Sequence, residues 1–206
     1  MLTLFYAPGT CSLASHIALE ESGAAYEAKR VNFAEGEQRS PEYLLVNPKG
    51  RVPALATEYG ILTETPAILA FIAQSYPESN LAPVNDPFLF AKANAFNNYL
   101  SSTVHVAHAH RTRGARWTDD AAALESMKKK VPQNMGDCFD LIENGMSGGP
   151  WVMGEVYTMC DPYLFTIAGW LEADGVDPRK FPKVLDHRNR MGARASVKKV
   201  LAREHA

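Results

Sequence analysis

Cys11 is the residue of this 206-residue chain whose type and placement most directly imply chemistry. The run Leu2-Thr3-Leu4-Phe5-Tyr6 has the length and composition of a strand, Pro8 and Gly9 break the backbone, and Ser12 to Glu21 has helical composition. The thiol therefore falls where a helix begins, beside unpaired N–H groups that favour negative charge. Such a thiol is biased toward thiolate, the nucleophilic form. The plainer alternative is a small buried cysteine beside a turn. Magnitudes limit the bias. A free thiol near pKa 8.5 is about 3% thiolate at pH 7, and a helix end contributes about 0.3–1 kcal/mol, less than one pKa unit. A nearby cation or hydrogen-bond donor is needed to make thiolate the main form. Tyr6 and Ser12 can donate locally. A two-cysteine redox site would have its second cysteine at position 14, which is Ala14. A mixed disulfide with an external thiol therefore fits better than an internal one.

The second pattern is polar. Asn94, Asn98, Ser101, His105 and His108 are spaced 4, 3, 4 and 3 apart, one stripe if the segment is a helix. Short polar groups and histidines in place of Lys or Glu read as the lining of a cleft, against the alternative of a solvated face. His105 is the best candidate partner for Cys11. His105, His108 and His110 also invite a metal reading. His110 points elsewhere, and no Asp, Glu or Cys completes a ligand set at helical spacing, so no metal is expected. Arg111, Arg113 and Arg116 form a basic patch just beyond. They are either cations favoured at a helix end or a contribution to an anionic substrate.

These residues need elements to place them. Strand signals at 2–6 and 26–31, a helix at 12–22 ended by Gly23, a polar loop at 33–39 and a short helix at 40–46 come first. Ser40 caps that short helix and Pro41 opens it. Asn47-Pro48-Lys49-Gly50 is a turn, 52–56 with 59–62 reads as a hairpin, and Thr65 caps a helix from Pro66 to Ser75. This is a small α/β unit, residues 1–76. Residues 77–87, rich in proline, read as a linker. Beyond it, 88–111, 119–144, 161–172 and 181–203 look helical, with Pro132 able to kink the second and a turn at 145–150. Residues 88–206 thus form an all-helical domain.

Lysine plus arginine number 21 against 23 acids, a net charge of −2, so neither nucleic acid nor an acidic membrane is expected as a partner. Three scattered cysteines fit a reducing compartment rather than a disulfide framework. The first residues lack the pattern of a signal peptide, and no apolar run reaches membrane-spanning length. The expectation is a soluble cytoplasmic protein.

In this order and spacing, Tyr6-x-Pro8-Gly9-x-Cys11-Ser12-Leu13, Asn47-Pro48-Lys49-Gly50-x-Val52-Pro53, Leu62-Thr63-Glu64-Thr65, Val104-His105 and Thr158-x-x-Asp161 resemble the cytosolic glutathione transferases, most closely the bacterial beta class. The resemblance implies an N-terminal thioredoxin-like domain that binds glutathione, an all-helical C-terminal domain, and a homodimer. It implies that glutathione is the co-substrate of a small electrophile, in detoxification or a related role. It puts His105 next to Cys11 across the domain interface and Asn98 near the glutathione of the partner subunit. It also implies a cis Val52–Pro53 bond, turning the Val52 backbone outward to pair with a peptide ligand as an added strand would. Glu64 would take the ligand's ammonium, and the Thr65 N–H and hydroxyl its γ-glutamyl carboxylate. Relatives often place a basic residue in the loop after the second strand for the glycine carboxylate. Here that loop carries Glu35 and Glu37 with only Arg39 basic, so Arg51 or Lys49 is expected to substitute. Thr158 and Asp161 form the family's capping box, a folding device, and Cys138 and Cys160 are structural. Two further readings stay open: a glutaredoxin-like monothiol disulfide oxidoreductase, and a non-catalytic binding module on the same fold.

Overall fold

The computed structural model describes residues 1–146 and 149–205. β1 (Leu2–Tyr6), α1 (Ser12–Ser22), β2 (Tyr26–Arg30), α2 (Pro41–Val46), β3 (Ala54–Thr57), β4 (Gly60–Thr63) and α3 (Thr65–Ser75) make up the first part. The sheet order is β2-β1-β3-β4. β1 runs parallel to β2 and antiparallel to β3, and β3 turns into β4 as a hairpin with Ala56 opposite Ile61. Alternation along β1 sends Leu2, Leu4 and Tyr6 into the core that holds α1 and α3, while Phe5 packs on the other face with Val31, Tyr43 and Val52. This is the thioredoxin-like arrangement that the motifs implied. The Val52–Pro53 bond is cis.

The short helix α2 starts as its sequence directs: the Ser40 hydroxyl accepts from the Tyr43 N–H at 3.1 Å, with Pro41 at the first position. α3 starts one residue earlier than expected. Glu64 is its N-cap and Thr65 its first residue, and Glu64 adopts φ +70°. Such a conformation costs about 1–3 kcal/mol for a residue with a Cβ. Gly50 is required as glycine, because its φ is +58° and a Cβ there would lie 2.8 Å from the Gln38 carbonyl oxygen.

The helical part comprises α4 (Pro87–Tyr99), α5 (His105–Ala109), α6 (Ala121–Gly145), α7 (Cys160–Ala168), α8 (Pro182–Ala193) and α9 (Ala195–Glu204). The expected helix 88–111 is interrupted by a π-helical turn at Leu100–Val104, where the His105 N–H reaches back to the Leu100 carbonyl. Pro132 lies inside the continuous helix α6, and the expected stretch 181–203 divides at Arg194, which leaves helical geometry (ψ 138°) and pairs with Glu21 of α1 at 2.7 Å. The turn expected at 145–150 includes positions 147 and 148, which lie outside the described residues. No described helix is long and apolar enough to cross a membrane.

The two parts share one core. α1 packs against α3 on its own side and against α7 and α9 of the helical part. Leu4, Leu69, Leu164 and Ile167 belong to the same fully buried cluster. The capping box does the structural work expected of it. The buried Asp161 carboxylate accepts from the Thr158 N–H at 2.6 Å, the Val152 N–H at 2.9 Å and His187 Nε2 at 2.9 Å. One side chain thus ties the loop before α7, the start of α7 and α8. Asp161→Ala should cost about 3–5 kcal/mol, because it strands a buried histidine and two N–H groups together. The check is the midpoint of urea unfolding. A shift no larger than that of an exposed Asp→Ala control, such as Asp119→Ala, would show that the three partners are satisfied otherwise.

Candidate functional site

The chemistry-bearing residues are gathered by one cleft of about 320 Å³ between the two parts, at the low end of the usual size for a ligand site. Cys11, Arg51, Val52, Pro53, Glu64 and Thr65 line it from the sheet side, and Ser101 and His105 from the helical side. Local structure explains each placement. Cys11 is the N-cap of α1, and its thiol donates to the Val52 carbonyl at 3.5 Å. The stretch carrying Val52 is pinned because the Arg51 carbonyl accepts from both the Tyr43 hydroxyl and the Asn47 amide at 2.7 Å. Thr65, at the start of α3, is buried and lines the cleft with Cys11.

Other expected site residues lie elsewhere. Ser12 is fully buried, and its hydroxyl bonds the Ala7 N–H, the Ala7 carbonyl and the Thr10 hydroxyl. It staples the turn under Cys11 and has no lone pair or proton to spare for the cleft. Tyr6 follows the inward alternation of β1 into the core, where its ring lies 5.0 Å from that of His16. Lys49 turns from the cleft to the Thr63 hydroxyl at 2.7 Å and the Glu64 carboxylate at 2.5 Å. Of the two expected substitutes for a glycine-carboxylate ligand, only Arg51 lines the cleft.

The polar stripe divides at the π-helical turn. That turn inserts a residue into the helical repeat, so the face carrying Asn94 and Asn98 is out of phase with the face carrying Ser101 and His105. Asn98 is exposed and outside this cleft. His108 is buried beneath the cleft wall, stacked on Trp170 with ring centroids 4.2 Å apart and bonded to Asp174 at 2.7 Å, where Arg111 joins the same carboxylate at 2.9 Å. His110 packs edge-on against Trp117 at 4.6 Å. The three histidines thus have three separate roles. Among the described residues, no three His, Cys, Asp or Glu side chains converge as a metal site would require.

Several residues that line the cleft were not expected there from the sequence, among them Thr10, Phe33, Val106, Trp117 and Tyr163. Tyr163 lies two residues beyond the capping box and lines the cleft with Thr65. Its buried position, beside a turn known to be structural, gave no separate signal.

Electrostatics bear out the expectation that the helix end alone is too weak to set the state of Cys11, and correct the expected part of His105. Burial pushes the Cys11 thiol above the ordinary value, outweighing the Thr65 side chain and the charge of Arg113, which pull it down. The helix end does not make thiolate the main form. His105 is not the missing cation either: burial, reinforced by Arg113, His108, Arg116 and Arg51, pushes its imidazole down to about 3. It is neutral at physiological pH. The cation that favours the thiolate is Arg113.

Two outcomes follow. Alkylation of Cys11 by iodoacetamide, followed per cysteine by mass spectrometry against pH, should report a pKa above that of a free thiol, and Arg113→Met should raise it further. A fall on that substitution would remove Arg113 from the site. Because folding lowers the His105 pKa from 6.5 to about 3, the unfolded chain takes up this proton first as pH drops. His105 therefore subtracts stability below about pH 6.5. His105→Gln should flatten the decline of stability between that pH and about pH 4. Parallel wild-type and variant curves in urea unfolding would contradict it.

Residues 1–74 match the family described as glutathione S-transferase, N-terminal domain, and residues 65–195 match glutathione S-transferase, C-terminal domain. The chain is 32% identical over 206 residues to glutathione S-transferase GstA of Escherichia coli O157:H7, with 98% of each chain covered. A glutathione transferase homologue from Sulfitobacter, solved with bound glutathione, superposes with a TM-score of 0.94 at 46% identity over 98% of both chains. A bacterial beta class glutathione S-transferase from Sphingomonas chungbukensis gives 0.86 at 31% identity, again over 98% of both. With both halves matched in order and the cleft residues assembled at their junction, this chain belongs to the glutathione S-transferase family, and bacterial beta-class structures are among its neighbours.

Proposed function

We propose that the protein conjugates glutathione to small electrophiles in this cleft. The observation that carries the reading is the convergence of Cys11, Val52 and the adjacent pair Glu64 and Thr65, from three separate segments, with His105 from the helical part. The start of α3 offers its free N–H groups and the Thr65 hydroxyl to the γ-glutamyl carboxylate. Glu64 takes the ammonium group, exchanging it for Lys49. The Val52 main chain pairs with the peptide, and Arg51 holds the glycine carboxylate. Residues 1–76 thus supply the glutathione half of the site and residues 88–206 the electrophile half. The protein works as a homodimer in the cytoplasm, where its three free cysteines stay reduced, and the exposed Asn98 faces the partner's site.

The raised pKa of Cys11 defines its part. A thiol that stays protonated is a poor attacker and a competent S–H donor. Cys11 hydrogen-bonds the glutathione sulfur, which loses its proton to solvent, attacks the electrophilic carbon and expels the leaving group with its electron pair. His105, neutral and too weak a base to keep that proton, orients the sulfur through a hydrogen bond. A second reading is favoured by Arg113: its charge supports a minor thiolate at Cys11, able to form a mixed disulfide with oxidised glutathione.

Thr65→Val should raise the KM for glutathione by about tenfold or more, the worth of a hydrogen bond to a carboxylate. With chlorodinitrobenzene as electrophile, Cys11→Ala should lower kcat and Cys11→Ser should recover part of it. Conjugation untouched in Cys11→Ala, together with a mixed disulfide at Cys11 in the wild type, would transfer the cysteine to the redox reading. Absence of any glutathione binding by calorimetry would remove both.

A further inference from the structure

The cleft holds more positive charge than glutathione can use. Arg51, Arg113 and Arg116 all line it, and Arg39 stands close enough to weigh on Arg116. Among the described residues, none of these four guanidiniums has an ion-pair partner. Arginines elsewhere, such as Arg111, Arg188 and Arg194, do have one. Gathering like charges without a counter-ion opposes folding, and each of Arg113 and Arg116 is held below its ordinary pKa by burial and by the other arginines. The natural complement is an anion bound from outside.

Glutathione supplies two carboxylates and one ammonium. On the reading above, these are met by the start of α3, by Arg51 and by Glu64. Arg113 and Arg116 come from the other side, in the segment after α5. With Val106, Ala109 and Trp117 they form the cleft wall of the helical part. That wall combines apolar surface, an indole held edge-on by His110, and two guanidiniums. An apolar ring bearing a negative group matches such a surface in both respects.

We propose that Arg113 and Arg116 select an anionic electrophile, a planar molecule carrying a carboxylate or equivalent acid group, and dock that group while its ring lies on Trp117. This inference rests on the glutathione-conjugating reading and names the substrate class for it. In the step itself, the glutathione sulfur forms a bond to the electrophilic carbon, the carbon–halide bond breaks, halide leaves with the electron pair, and the thiol proton goes to solvent. The carboxylate stays on the arginines throughout.

The test compares two electrophiles of the same shape, chlorodinitrobenzoate and its neutral amide, at saturating glutathione. The wild type should prefer the anion by about tenfold or more in kcat/KM, as expected for a charge-assisted bidentate contact. Added salt should erode that preference by raising the KM for the anion more than for the amide. In Arg116→Met and in Arg113→Met the ratio of anion to amide should fall toward one. Equal losses with both electrophiles would assign the arginines to the thiolate instead, and overturn the proposal. So would a wild type that prefers the amide or responds to salt equally with both. Calorimetry with glutathione alone separates the underlying reading: if glutathione does not bind, that reading fails first, whereas binding with no anion preference sinks only this inference.

Discussion

Burial of α1 on all sides is the constraint on which the rest depends. Its residues Ala14, Ile17, Ala18 and Leu19 are fully buried, and so are the polar Ser12, Ser15 and His16. A helix enclosed in this way cannot be amphipathic in the ordinary sense. Two of its polar side chains reach across the molecule. His16 bonds the buried Glu204 of α9 at 2.8 Å, and Glu21 holds Arg194 and Ser196. Those contacts fix the helical part against the sheet part and so fix the cleft between them. Cys11 caps the end of α1 that opens into this cleft, so the position of the thiol is as firm as the core beneath it.

The same enclosure decides the chemistry. A helix end and a nearby cation both favour thiolate, yet removing the thiol from water disfavours it, and the last effect wins. For His105, burial and surrounding positive charge act in the same direction, against the imidazolium. Cys11 and His105 therefore line the cleft as two neutral groups, with the positive charge carried by guanidiniums that cannot give up a proton at working pH. The cleft can stabilise a bound thiolate or carboxylate without first having to change its own protonation.

Helical phase is the other structural decision. The π-helical turn at Leu100–Val104 brings Ser101 and His105 to the cleft and leaves Asn98 on an outer surface. It also carries His108 inward to Trp170 and Asp174. Without the extra residue, the five polar positions would share a face. The interruption serves the site because it lets one continuous run of chain present one face to solvent before the turn and another to the cleft after it.

Local signals in the chain were sufficient for most of the architecture. Ser40-Pro41, the turn at Asn47 to Gly50, and Gly23 at the end of α1 act through their immediate neighbours, so a reader of the sequence can place them. The motifs around Cys11, Val52-Pro53, Glu64-Thr65 and His105 likewise mark residues from both sides of the cleft. The sequence could not set burial, phase or the balance of charges. Tyr6 and Ser12 have the right chemistry close to Cys11 along the chain, but strand alternation and a three-way hydrogen-bonded turn direct them into the core. Lys49 and Arg51 look interchangeable in sequence, and only the reach of Glu64 separates them. The state of Cys11 depends on how much water is excluded and how many guanidiniums face it, quantities summed over segments far apart in sequence. The chain by itself determined which groups are present and which local turns they make. The tertiary structure decided which of them share a cleft, and with what charge.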